Sequence, residues 1–272
     1  GITDLVGNEL ATDTEIDVLD VAYPIVLQAY YYDNDEDGVI EEVIVEFSED
    51  VTFSSALATE FQFDPLGTPF NPTVVSHNDR SNPLDLESTD EFITLGVSID
   101  GTSTTSSITD LNFTASNLRD LSNRVAISQT GVSKIDRAAP VVIDVNSSTD
   151  DSSTKIIGNS ISIYLDFSET VDVTGIPVLD LATGTAGSAS YSTGNGTSRL
   201  FFNYTVLAGH ESSDLDYSNT GALSGTIDDQ STENNVSSLI LPIPGATNSL
   251  SSNKNFVIDG VVPYFVQAHF YD

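Results

Sequence analysis

Five carboxylates crowd into nine residues at Asp33-Asn34-Asp35-Glu36-Asp37-Gly38-Val39-Ile40-Glu41. Acids at the first, third, fifth and ninth places, with glycine at the sixth, match the opening part of a calcium loop. A hard cation of this kind takes roughly six to eight oxygen ligands. Alternating Asp residues around a tight turn aim their carboxylates at one centre, and glycine lets the chain reverse. The Val39 carbonyl supplies another oxygen, and Glu41 or Glu42 closes the site. A helix–loop–helix site would need Glu at the twelfth place, where Ile44 stands, and the flanks read as strands. The expected metal ligands are therefore Asp33, Asp35, Asp37, Val39, Glu41 and Glu42, holding Ca2+ in a hairpin. Without a counter-ion these acids repel one another; the plainer alternative is a solvated acidic turn.

Acids also gather near the ends of the segments defined below, at Asp17, Asp20, Asp136, Asp144, Asp150, Asp151 and Asp259. Four of them, Asp20, Asp136, Asp144 and Asp259, are weaker candidates for a calcium site between domains. Asp214, Asp216, Asp228 and Asp229 read instead as turn and hydrogen-bonding residues. Five Asn-x-Ser/Thr sequons, at Asn112, Asn146, Asn195, Asn203 and Asn235, are candidate glycosylation sites. Catalysis has little to work with. The histidines His77, His210 and His269 lie in different parts of the chain, and His210, after a glycine, reads as a surface residue. No Gly-x-Ser-x-Gly, His-Glu-x-x-His or phosphate-binding glycine loop occurs. The chain reads as a non-enzyme.

Charge narrows the partners. The 272 residues carry 41 Asp+Glu against 8 Lys+Arg, a net charge of −33. Such a surface disfavours nucleic acid and anionic membranes, and no apolar run is long enough to insert directly into a bilayer. With no cysteine, disulfides, thiolate zinc sites and cysteine nucleophiles are excluded. Gly1 in place of an initiator Met suggests a processed product or an excised fragment.

What positions the acids is a set of strands. Hydrophobic residues make up 39% and charged residues only 18%, which argues for a folded chain despite the net charge. Short alternating runs dominate, and no long helical period is visible. Val43, Val45 and Phe47 point to one side, with Glu42, Ile44 and Glu46 on the other; Ile161, Ile163, Leu165 and Phe167 repeat the pattern. Further strands are expected at Phe92–Val97, Val141–Val145, Pro177–Leu181, Arg199–Val206 and Asn255–Ile258.

The pattern also recurs along the chain. Tyr23-Pro24-Ile25-Val26-Leu27-Gln28-Ala29 is echoed by Ala139-Pro140-Val141-Val142-Ile143 and by Val262-Pro263-Tyr264-Phe265-Val266-Gln267-Ala268. Phe47-Ser48-Glu49-Asp50-Val51 returns as Phe167-Ser168-Glu169-Thr170-Val171. A period of about 120 residues fits one β-sandwich domain. The expected division is 1–20, the C-terminal part of a preceding repeat or an exchanged strand; 21–137 and 138–260, two sandwich domains; and 261–272, the first strand of a following repeat or an exchanged strand. The joints, such as Asp136-Arg137-Ala138-Ala139-Pro140, are short and proline-stiffened, which favours an extended rod.

Ser160–Val173, Gly175-Ile176-Pro177-Val178-Leu179-Asp180-Leu181, Leu200–Val206, Ala208-Gly209-His210, Asp214-Leu215-Asp216-Tyr217 and Asn253–Asp259 together resemble bacterial Ig-like, cadherin-like repeats of large surface, adhesin and S-layer-type proteins. The likeness covers about 139–263. Segment 21–138 keeps the proline start and the Phe-Ser-Glu step but lacks Asp-Leu-Asp-Tyr. The resemblance implies an all-β chain of tandem Ig-like antiparallel sandwiches, extracellular at the cell surface. It implies a structural role in a calcium-stiffened layer, filament or stalk, with copies of itself or neighbouring repeats as partners. The alternative is an adhesin binding a surface glycan or a protein, with Tyr30-Tyr31-Tyr32 and Phe61–Phe70 as its aromatic candidates.

Overall fold

In the computed structural model, residues 21–52, 57–62, 74–77, 90–97, 110–231, 233, 235–263 and 267 are described. Asp17, Asp20, most of Phe61–Phe70, and the first and last expected segments, apart from 261–263 and 267, fall outside them. Strands account for 52% of the described residues, with almost no helix, so the chain is all-β. The first half carries β1 (Val26–Tyr32), β2 (Glu42–Thr52), a 3-10 turn at Leu57–Glu60, β3 (Phe61–Gln62), β4 (Val74–His77), β5 (Asp90–Gly96), β6 (Leu111–Phe113), β7 (Arg119–Asp120), β8 (Gln129–Val132) and β9 (Lys134–Asp136). The second half carries β10 (Val142–Ser147), β11 (Lys155–Ile156), β12 (Ser160–Thr183), β13 (Thr185–Thr193), β14 (Thr197–Thr205), β15 (Glu211–Ser212), β16 (Leu223–Asp229), the short helix α1 (Leu250–Asn253) and β17 (Ile258–Asp259).

Each half has its own core. In the first, β4-β5-β2-β1-β9, with β7 added to β2, forms one sheet and β3-β6-β8 another. Alternation explains the layering: Val26, Ala29 and Tyr31 of β1 and Val43, Val45 and Phe47 of β2 share one buried cluster with Phe61, Leu111 and Phe113 of the other sheet. Phe47 meets Phe113 edge-on at 5.6 Å, and Phe61 lies 5.1 Å from the same ring. Such aromatic pairs stabilise by about 0.5–1.5 kcal/mol each beyond their buried area. Ile44, expected on the polar side, is buried as well. Its strand is central in the sheet, between Tyr30 of β1 and Thr94 of β5, so its outer face is covered too.

In the second half, Ile161, Ile163, Leu165 and Phe167 form a core with Leu200, Phe202, Tyr204, Leu215, Tyr217 and Phe256. The runs expected as separate strands around 161–167 and 177–181 are a single strand, β12. Its first part lies between β10 and β14, and its later part between β16 and β13. Irregular pairing at Asp166/Val171 and Thr174/Val178 marks the places where it changes partners, as bulges do when they redirect a strand.

The order of pairing repeats. Val26 faces Phe47 in the first half, and Val142 faces Phe167 in the second; Val51 faces Asp120, and Val171 faces Asp229. Each half also holds one parallel pair: β1, its first strand, with β9, its last, in the first half, and β11, which follows β10, with β17 in the second.

Candidate metal centre

The acidic run closes the β1–β2 hairpin. Tyr32 and Glu42 face each other at its base, and residues 33–41 form the turn. Backbone hydrogen bonds from Glu41 N to Tyr32 O (3.2 Å) and from Val97 N to Glu41 O (2.7 Å) anchor its return side. Glu36 (φ 58°) and Gly38 (φ 90°) take left-handed conformations, so glycine at the sixth place answers a backbone requirement.

Inside the turn, Asp33 accepts from Gly38 N (2.8 Å) and Asp37 N (3.3 Å), Asp37 accepts from Val39 N (2.9 Å), and Glu41 accepts from Asn34 N (2.9 Å). One carboxylate oxygen from each of Asp33, Asp35, Asp37 and Glu41 lies within 4.8 Å of the others, a spacing from which all four can reach one ion. Partial burial pushes the Asp33 carboxyl above its ordinary value, against the lowering effect of the N–H groups of Gly38, Glu36 and Asp37. Burial also raises Glu41, and the charges of Asp33, Asp35 and Asp37 add to the rise. Desolvation and mutual repulsion thus both act against the ionised forms, and a bound cation relieves both. Glu42 stands just outside this group, accepting from the Asn34 side-chain amide at 3.4 Å.

A second acidic group forms where the two halves meet. Asp136 at the end of β9, Glu169 in β12 and Asp229 at the end of β16 bring carboxylate oxygens within 4.8 Å of one another. Asp136 was expected near a joint; Glu169 and Asp229 were not expected as ligands. Asp229 is fully buried and accepts from Ser231 N and Oγ and from Asn235 N and Nδ2, at 2.7–3.1 Å, which bears out its reading as a hydrogen-bonding residue. Lys134 lies in the same field: burial lowers its pKa, while Asp136, Asp110 and Glu169 oppose the shift.

The other candidates are spread out. Asp144 accepts from Asn253 Nδ2 (2.7 Å), and the exposed Asp259 accepts from Val261 N (3.1 Å) while facing Glu211 across β15–β17. Among the sequons, Asn195 and Asn203 are exposed. Asn112 Oδ1 accepts from Gly131 N, Asn146 Oδ1 from Ser147 N, and Asn235 Nδ2 donates to Asp229 and to the Asp136 carbonyl. Tyr31 belongs to the core, and Tyr30 donates to Glu46 (2.7 Å). His210 is buried, not at the surface: it stacks on Tyr204 (5.6 Å) and its Nδ1 takes the Leu207 N–H. Compared with family models, curated proteins and solved structures, the chain matches none.

Proposed function

We propose that this chain is a structural, non-catalytic piece of an extracellular repeat array. In this reading Ig-like sandwiches are set end to end in a cell-surface layer, filament or stalk, and are stiffened by Ca2+. One observation carries the proposal: a hairpin turn gathers the oxygens of Asp33, Asp35, Asp37 and Glu41 into one cluster within 4.8 Å. All-oxygen, mostly carboxylate donors in a loop suit calcium rather than a softer metal. The order of strand pairing repeated in the two halves supports a tandem array. The high negative charge fits a secreted array kept soluble and screened by salt and divalent ions.

Titration calorimetry tests the ion directly, with magnesium as the comparison. One calcium bound per chain at submillimolar to millimolar strength, with weaker magnesium binding, is the expected result. No heat at millimolar calcium refutes the metal reading. Electron microscopy of longer arrays, with and without chelator, tests the stiffening; unchanged particle length and curvature after chelation count against it.

A further inference from the structure

The turn that carries the acids also touches the second half of the molecule. A Cβ added at Gly38 would lie 3.0 Å from Val141 Cγ2, 3.1 Å from Ser168 Cβ and 3.3 Å from Ile143 Cγ2. All three neighbours lie beyond the joint. Asp33, Gly38 and Ile40 on one side, and Ala138, Ala139, Ser168 and Glu169 on the other, line a seam with no room for a water molecule. Behind it the joint is tied down by a Ser238 N to Pro140 O hydrogen bond (2.9 Å), by Asn235 Nδ2 donating to the Asp136 carbonyl (3.2 Å), and by the Arg137–Glu233 ion pair (2.5 Å). The same Gly38 donates its N–H to Asp33. One acid of the cluster therefore holds the residue that meets the second half.

We propose that the β1–β2 turn is the latch of the joint: seated through Gly38, it fixes the orientation of the second half, and a filled acidic site tightens it. The seat itself follows from packing. Carbon atoms prefer separations of about 3.5–4.0 Å, so a methyl group at Gly38 forces the two sides apart by about 0.5–1 Å. The link to the ion rests on the cation reading above.

The chain has no native cysteine, so labels at Leu121→Cys and Ile157→Cys, exposed sites in the two halves, are unique. Distances between two spin labels report the orientation. Wild type should give one narrow distribution. Gly38→Ala and Gly38→Val should broaden it and shift it by about 2–4 Å, as a displacement of under 1 Å at the seat is magnified away from it. The control is Gly131→Val, at another left-handed glycine (φ 67°) with no atom within 4 Å of an added Cβ; it imposes backbone strain without contact and should leave the distribution narrow. If the valine variant does not fold, the alanine variant decides. A broad wild-type distribution, or Gly38 variants that match wild type, overturns the latch. The series is run in chelator and in calcium, beside a calcium titration of the same samples. Calcium that binds without narrowing the distribution overturns the coupling. No binding at all refutes the cation reading and with it the coupling, while the Gly38 comparison still decides the latch.

Discussion

Replacing Asp35 with Asn tests the metal centre with little collateral damage. Asp35 is an exposed member of the four-carboxylate group, whereas Asp33 and Asp37 also hold the turn through backbone N–H groups. Extracellular calcium modules bind at about 0.1–1 mM, so 5 mM calcium should stabilise the native state by about 1–2.3 kcal/mol. For a unit of this size that raises its melting temperature by about 4–14 °C. Removing one of four carboxylates should weaken binding about tenfold, or about 1.4 kcal/mol. The calcium increment then falls to about 0.2–1 kcal/mol. In chelator the variant should melt within a degree or two of wild type or slightly higher, because one source of repulsion is gone. Calorimetric melting of both proteins, in chelator and in 5 mM calcium, gives the four numbers needed. A wild-type transition that calcium does not move, or an Asp35→Asn protein that keeps the full increment, refutes the reasoning.

Acid should act on the same site with a definite sign. Asp33 and Glu41 are raised above their ordinary 3.8 and 4.5, so their ionisation opposes folding. In chelator their contribution is most favourable below those values and worsens as pH rises through them and through the raised values. Calcium needs the ionised forms, so its melting increment, measured between pH 7 and pH 4, should shrink as pH falls through that window; a constant increment counts against these ligands. Asp229→Ala should cost the second half about 3–5 kcal/mol by urea unfolding, equally with and without calcium, because it removes the buried carboxylate that accepts four hydrogen bonds. A loss under 1 kcal/mol would show that those bonds are dispensable. Arg199→Ala should cost no more than about 1 kcal/mol in the same assay, since its two-pronged pair with Asp166 and its stacking over Tyr164 sit at the surface.

The parts legible in the sequence are those whose cause is local. Alternation marked β2 and the first stretch of β12, and the Asp-x-Asp-x-Asp-Gly spacing marked the turn, because neighbours along the chain remain neighbours there. Asp229 and Glu169 meet through the β12–β16 pairing at Val171 and Asp229, which no local pattern announces. One signal was present: Phe-Ser-Glu occurs in both repeats, with the glutamate kept each time. His210 reads as a surface residue because Gly209 precedes it, yet it is buried, and Tyr204, six residues earlier, brings an aromatic face over its ring. The merging of two expected strands into β12 was hidden because the breaks in its pairing fall on polar residues and Gly175, which read equally as a loop.

The parallel β1–β9 pair has a mechanical consequence. In the first half β1, near where the chain enters, lies beside β9, near where it leaves, with Ala29, Tyr30 and Tyr31 facing Lys134, Ile135 and Asp136. Tension along the chain pulls these two strands past each other lengthwise. Their hydrogen bonds then share the load together and do not peel open singly. The second half holds Lys155 and Ile156 against Ile258 and Asp259 in parallel too, but β10 precedes that pair and lies against β12, so a pull from the joint loads β10 first.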